Sequence, residues 1–150
     1  MDRRPLAAAL AVLLLTGCGT SSPPDDQAWV RSSVQVLDDV AGSVASSRLA
    51  LDEAQKGHLL GRSGLVLAQD AESSAAGAAR GYLGSQPAPG RAEDFRRLAE
   101  LLRQAESVLV DARIAFATGA QADYAGLQVR LQKVGQELEQ AAEPLRRAGG

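Results

Sequence analysis

Apolar residues recur with a helical spacing along most of the chain after residue 26. In two segments they follow alternating steps of three and four residues, the average spacing of helices that pack side by side. One series is Phe95, Leu98, Leu102, Ala105, Leu109, Ala112 and Phe116, and the other is Tyr124, Leu127, Leu131, Val134, Leu138, Ala141 and Leu145. Because a short segment containing Gly119 separates the two series, we predict two antiparallel helices joined by a tight turn.

A third series predicts a helix nearer the start of the chain. Asp25 or Asp26 can cap its first turn. Gly57 and Gly61 flank a turn that contains His58, so the helix should end before them. The apolar series of this helix is Val30, Ser33, Leu37, Val40, Val44, Ser47 and Leu51.

The segment 62–83 predicts a less distinct helix, because small residues stand where the other helices carry leucine. Either of two faces of this helix can pack against the core, and we expect the one that leaves Glu72 in water. That face consists of Leu67, Ala71, Ser74 and Ala78. The other face would bring Glu72 toward the core, and it consists of Leu65, Ala68, Glu72, Ala75, Ala79 and Tyr82.

Together the four segments predict an all-α, up-down-up-down four-helix bundle over residues 27–148. Prolines and glycines in the segment 84–90 separate its two halves. The alternative is three long helices, with the first two fused into one bent rod. In the four-helix arrangement aromatic residues lie at the two ends: Trp29, Tyr82 and Phe95 where the chain enters, and Phe116 and Tyr124 at the opposite end, near His58. We expect them to close the core; the alternative is that the tryptophan and tyrosine of the first end meet a membrane interface.

The first residues follow a different pattern. Arg3 and Arg4 precede an apolar run over residues 6–15, which as a helix spans about half of the ~30 Å hydrocarbon core of a bilayer. A positively charged start followed by such a run is typical of a signal peptide. The four residues that end this region, Leu15, Thr16, Gly17 and Cys18, resemble the lipobox of bacterial lipoproteins.

This resemblance implies that Cys18 carries a diacylglyceryl group and that signal peptidase II cleaves just before it. The chain is then divided into a signal peptide (1–17), a lipidated cysteine with a flexible tether (18–26) and the helical bundle. The protein is expected on the extracytoplasmic face of a bacterial membrane, where its acyl chains bind the bilayer. A secretory signal without lipidation is the alternative.

Charge and composition exclude several classes of function. With 16 basic and 18 acidic residues and no basic stripe, the chain is not expected to bind nucleic acid. Cys18 is its only cysteine and His58 its only histidine, so we predict no metal site and no cofactor. Side chains of neighbouring residues on a helix diverge by about 100°, so the adjacent carboxylates are expected not to form a catalytic site. These pairs are Asp38–Asp39, Asp52–Glu53 and Glu93–Asp94.

The sequence therefore favours a non-catalytic interaction or structural module that contacts another protein of the cell envelope. The alternative is a small-molecule binder, whose pocket would be formed by Glu72, Ala75, Ala79 and Tyr82. An enzyme would require Glu72 or Asp70 to lie close to further charged groups. A homo-oligomer is compatible with the first two functions, and its contacts would be made by exposed apolar residues, among them Val36, Val66 and Val129.

Overall fold

The computed structural model describes residues 24–149, which are helical almost throughout and contain no strand. A single 3-10 turn at Gln121–Asp123 precedes the last helix. The predicted all-α four-helix bundle is confirmed, and the alternative of three long helices is wrong because the first two helices are separate. The helices are α1 (Asp26–Gln55), α2 (Gly61–Leu83), α3 (Ala92–Thr118) and α4 (Tyr124–Gly149).

Consecutive helices are antiparallel neighbours, and α4 returns to pack along α1. Helix α1 therefore contacts α2 and α4, while α3 lies diagonally opposite α1 and contacts it little. The packing of α4 on α3 is less extensive than its packing on α1. The core lies along the centre of this square of four helices.

The helix ends follow from local chemistry. The Asp25 carboxylate accepts a hydrogen bond from the backbone N–H of Ala28 at 2.6 Å, so Asp25 caps α1. Gly119 ends α3 with a φ of +68°, a left-handed conformation that glycine adopts without steric cost. The next N–H, of Ala120, then bonds to the carbonyl of Ala115 at 2.9 Å and closes the helix.

The apolar series predicted for α1, α3 and α4 form the core. All seven positions of the α1 series are buried, including Ser33 and Ser47. In α3 and α4 the predicted positions are buried as well, except for Phe95 and Ala141, which are half-buried and pack against the core. The alternating three-four spacing therefore identified the interior of three helices correctly.

The predicted buried face of α2 is wrong. Ala68, Ala75 and Ala79 are fully buried, whereas Leu67 is 45% exposed and Ser74 is exposed. The reason lies at the two ends of the helix, where Tyr82 packs into the core and Gly64 lies against the ring of Phe116. These bulky contacts fix the rotation of α2, and the alanines between them allow its backbone to approach its neighbours closely.

The prediction that Val36 is exposed is also wrong, because its side chain is 4% exposed and belongs to the core. Helix α1 packs against both α2 and α4, so it buries a wider stripe than one three-four series provides. The other two valines of the predicted oligomer contact, Val66 and Val129, are 50% and 68% exposed.

Candidate functional site

The predicted lipidation site lies outside the described residues. This applies to Leu15, Thr16, Gly17 and Cys18, to the signal peptide, and to the tether as far as residue 23. The described chain begins at Pro24, beside the first turn of α1. We call this end of the bundle, with the loop 84–91 and the end of α4, the entry end. The opposite end, with the α1–α2 and α3–α4 turns, is the distal end.

Aromatic side chains close the core at the entry end. Trp29 and Tyr82 are 1% and 4% exposed, and the Tyr82 ring stacks on that of Phe95 with 5.3 Å between centroids. The Tyr82 hydroxyl lies 3.0 Å from Oγ of Ser33, in the interior. Burial raises the pKa of Tyr82. These rings face the core, which leaves none of the three as an open aromatic surface.

Arg91 joins three elements at the entry end. Its guanidinium donates to both carboxylate oxygens of Asp26, at 2.7 and 3.0 Å, and to Asp94 at 3.2 Å. It also lies over the Trp29 ring, 5.3 Å from the ring centroid. The hydrogen bonds from Arg91 lower the pKa of Asp26. No role was predicted for Arg91 from the sequence, although its position beside the acidic first turn of α3 was an available signal.

Glu72 does not share a pocket with the residues predicted to accompany it. Ala75, Ala79 and Tyr82 are closed off inside the core. Glu72 is half-buried and accepts a hydrogen bond from Nε of Arg113, so the pair links α2 to α3. The Glu72 side chain lines an open groove of about 510 Å³ together with Ala76, Arg80, Leu83, Gly84, Glu106 and Val110.

This groove brings Glu72 near Arg80 and Glu106, the combination of charges that an enzyme would need; Asp70 is not among its lining residues. The groove is open to water along the α2–α3 surface, and the carboxylate of Glu72 is already paired. A catalytic carboxylate is normally held in a site that excludes water and leaves it free to exchange a proton. The arrangement is that of a surface ion pair between helices.

Most of the other acidic residues form ordinary surface pairs. His58 is exposed in its turn, and its Nδ1 lies 3.0 Å from Oε2 of Glu53, a contact that lowers the pKa of Glu53. Asp52 and Glu53 converge on Lys56, at 2.5 and 3.3 Å. Within residues 24–149 no group of three or more His, Cys, Asp or Glu side chains is placed to share a metal ion. The other pairs are Asp38–Arg146, Glu93–Arg96, Asp94–Arg91, Glu100–Arg103, Asp111–Arg130, Glu137–Lys133 and Glu143–Arg147.

Exposed apolar side chains are concentrated at the distal end. Within the described part of the chain, every exposed large apolar residue lies either in a distal turn or close to one. In the second case it lies within six residues of the helix end that adjoins the turn. The entry half of the described bundle has no counterpart. The residues and their exposed fractions are Leu49 (60%), Leu60 (79%), Val66 (50%), Leu67 (45%), Ile114 (45%) and Val129 (68%).

Two of these residues face each other across the surface between α1 and α4. Leu49 and Val129 line the same shallow groove of about 320 Å³. We call its lining the α1–α4 patch: Ala45, Arg48, Leu49 and Asp52 from α1, and Gln128, Val129 and Gln132 from α4. Val129 was predicted to be exposed, whereas Leu49 was not, although Leu49 falls between two positions of the α1 series and should therefore point outward.

Comparisons of the chain with protein-family models, with curated proteins and with solved structures returned no match. None of the helices within residues 24–149 combines the length and the apolar composition needed to cross a bilayer.

Proposed function

We propose that this protein is a lipoprotein on the extracytoplasmic face of a bacterial membrane, where its helical bundle is a non-catalytic module that contacts another envelope protein. The observation that carries the proposal is the separation of the two ends. The entry end is closed by buried aromatic rings and ion pairs, while the exposed large apolar side chains of the described bundle lie at the distal end. Clustered exposed apolar residues typically mark a binding surface.

If Cys18 is acylated, the dimensions of the chain allow the distal end to stand well away from the bilayer. Helix α1 has 30 residues, so it extends about 45 Å from the entry end. The tether after Cys18 adds at most about 28 Å. In that upright orientation Leu60 and Val66 stand outside the lipid, where their burial requires another protein surface.

The small-molecule alternative has less support. Ligand pockets are usually concave and enclosed, with an apolar lining. The groove beside Glu72 is open, and the apolar residues expected to form its wall, Ala75 and Ala79, are packed in the core.

The anchor is tested by the intact mass of the protein extracted from membranes, compared with that of Cys18→Ala. We expect a mature wild-type chain that starts at Cys18 and carries added acyl mass, and a variant that lacks this mass and leaves the membrane fraction. An unmodified wild-type chain would overturn the anchor.

The role of the distal end is tested by a photo-crosslinking amino acid at Leu67, with Gln86 in the entry loop as the matched exposed control. In intact cells we expect Leu67 to yield a discrete crosslinked protein, identified by mass spectrometry, and Gln86 to yield none. Equal yields from both positions, or no product from Leu67, would contradict a distal binding surface.

A further inference from the structure

We propose that the α1–α4 patch binds a second copy of this chain, with the two copies parallel and their entry ends toward the same membrane. The inference rests on the proposed function in one respect: acylation at Cys18 would hold both copies on one bilayer with the same orientation. The patch is separate from the distal surface of α2, which remains free for an envelope partner.

The first step is the register between α1 and α4. Gly149 lies against Val30, and Gly135 lies against Val44, with added Cβ atoms 3.2 and 3.4 Å from the valine methyl groups. Because the two helices are antiparallel neighbours, the register set by these two contacts puts Leu49 level with Val129 toward the distal end. The two apolar side chains therefore stand side by side at one height on the bundle.

The second step is symmetry. Two copies that face each other about a two-fold axis parallel to their helices present α1 of one copy to α4 of the other, at equal heights. Leu49 of each copy then meets Val129 of the other copy. The dimer therefore contains two equivalent contacts between these residues. Copies anchored to one bilayer by tethers of the same length can form this contact at equal heights without tilting.

The polar rim of the patch is compatible with this pairing. Arg48 and Asp52 flank Leu49 on α1, while Gln128 and Gln132 flank Val129 on α4. Across the two-fold axis Arg48 faces the amide side of the patch, where a side-chain amide oxygen can accept from its guanidinium. Asp52 already bonds to Lys56, and the Gln128 amide donates to Gln55 of its own chain. No like charges oppose each other. Arg48 has no ion-pair partner within residues 24–149, so its guanidinium is available.

The geometry predicts which cysteine pairs can form disulfides. Two tagged forms, Leu49→Cys and Val129→Cys, are co-expressed with Cys18 intact and oxidised in the membrane. We expect the mixed Leu49→Cys/Val129→Cys dimer at several times the yield of either variant paired with itself. The control pairs Val129→Cys with Leu67→Cys, an exposed leucine on α2 that the parallel arrangement keeps distant.

A predominant Leu49→Cys dimer with itself would indicate antiparallel copies, and would overturn the proposal. So would crosslinking to a different protein, or no crosslinking at all. A second cysteine pair, Arg48→Cys in one chain and Gln132→Cys in the other, tests the same contact without changing Leu49 or Val129. Adding Val129→Glu to both chains should reduce the yield of this disulfide about tenfold. The matched control Val66→Glu should leave the yield unchanged. Both valines are exposed, so circular dichroism should show the same helix content.

The mass measurement on Cys18 separates this proposal from the proposed function. An acylated chain that fails to form the mixed disulfide keeps its anchor and disproves the parallel pairing. A chain that forms the mixed disulfide without acylation keeps the pairing and disproves the anchor.

Discussion

Arg91 lies over the ring of Trp29, with 5.3 Å between the guanidinium carbon and the ring centroid, and it also holds Asp26 by two hydrogen bonds. Trp29 and Asp26 belong to the first turn of α1, whereas Arg91 immediately precedes α3. One side chain therefore fastens the loop 84–91 over the entry end and covers the largest buried ring of the core.

Replacing Arg91 with alanine should lower the midpoint of thermal unfolding. The change removes the contact with Trp29 and the bonds to Asp26 and Asp94 together. Arg96→Ala is the matched control, because Arg96 bonds to Glu93 and both side chains are more than 70% exposed. An equal shift of the midpoint in the two variants would show that the clamp contributes no more than a surface pair.

The Asp26–Arg91 pair should also make stability depend on pH in the acid range. Hydrogen bonds from Arg91 lower the pKa of Asp26 below its usual 3.8 in the folded protein. The stabilisation is therefore present above this usual value and is lost as the pH falls through the lowered one. Wild type should unfold at a higher denaturant concentration than Asp26→Asn at neutral pH, and the difference should disappear in acid, once the pH has fallen below the lowered pKa of Asp26. A difference that persists there would refute this linkage.

The hydroxyls of Ser33 and Tyr82 form a buried pair at 3.0 Å. Tyr82→Phe leaves the Ser33 hydroxyl without this partner, and we expect a loss of about 1–2 kcal/mol in the free energy of unfolding. Ser33→Ala should cost a similar amount, and the double variant less than the sum, with a coupling of about 1 kcal/mol. If chemical denaturation shows that the double variant loses the sum of the two single losses in the free energy of unfolding, the two hydroxyls do not interact.

Ser47 is fully buried in α1, and its Oγ has no hydrogen-bond partner within the described residues. Ser47→Ala should therefore raise the free energy of unfolding by about 1 kcal/mol, because it removes an unpaired buried hydroxyl. Ser46→Ala is the control: Ser46 is exposed, and its bond to the Gly42 carbonyl at 2.9 Å can be replaced by water, so the main change is in helix propensity. Destabilisation by Ser47→Ala in urea denaturation would contradict this account.

How much of the fold the sequence predicts depends on the size of the side chains. In α1, α3 and α4 the three-four spacing of large apolar residues identified the buried face, since burying leucine and valine outweighs most other effects. Helix α2 offers alanine on every side, so the energies of its two faces differ little. Its rotation is decided by contacts that are distant in sequence, such as Tyr82 with Ser33.

The candidate surfaces show the same limit. Val129 and Leu49 could be assigned to the outside of their helices from spacing alone, but their common height depends on the register between α1 and α4. Arg91 is a further case, because its partners Asp26 and Trp29 lie more than 60 residues away. The concentration of exposed apolar residues at one end becomes visible only after the four helices have been aligned.

The contact between Gly64 and Phe116 supplies a test of how the distal end is packed. A Cβ added to Gly64 would lie 2.3 Å from Cε1 of Phe116, closer than any real contact, so the ring would have to move. That ring packs against Tyr124, with 5.1 Å between centroids, and it closes the core beside the α3–α4 turn. Gly64→Ala should therefore lower the free energy of unfolding by about 1–3 kcal/mol.

Gly77→Ala is the matched control, since Gly77 lies in the same helix and no atom comes within 4 Å of its added Cβ. Alanine there should raise the free energy of unfolding by about 0.5–1 kcal/mol, because it restricts the unfolded chain and favours the helix. If steric overlap with Phe116 causes the loss at Gly64, the smaller side chain in Gly64→Ala/Phe116→Leu should restore part of it. If chemical denaturation shows that Gly64→Ala and Gly77→Ala both raise the free energy of unfolding, α2 does not approach α3 at Phe116.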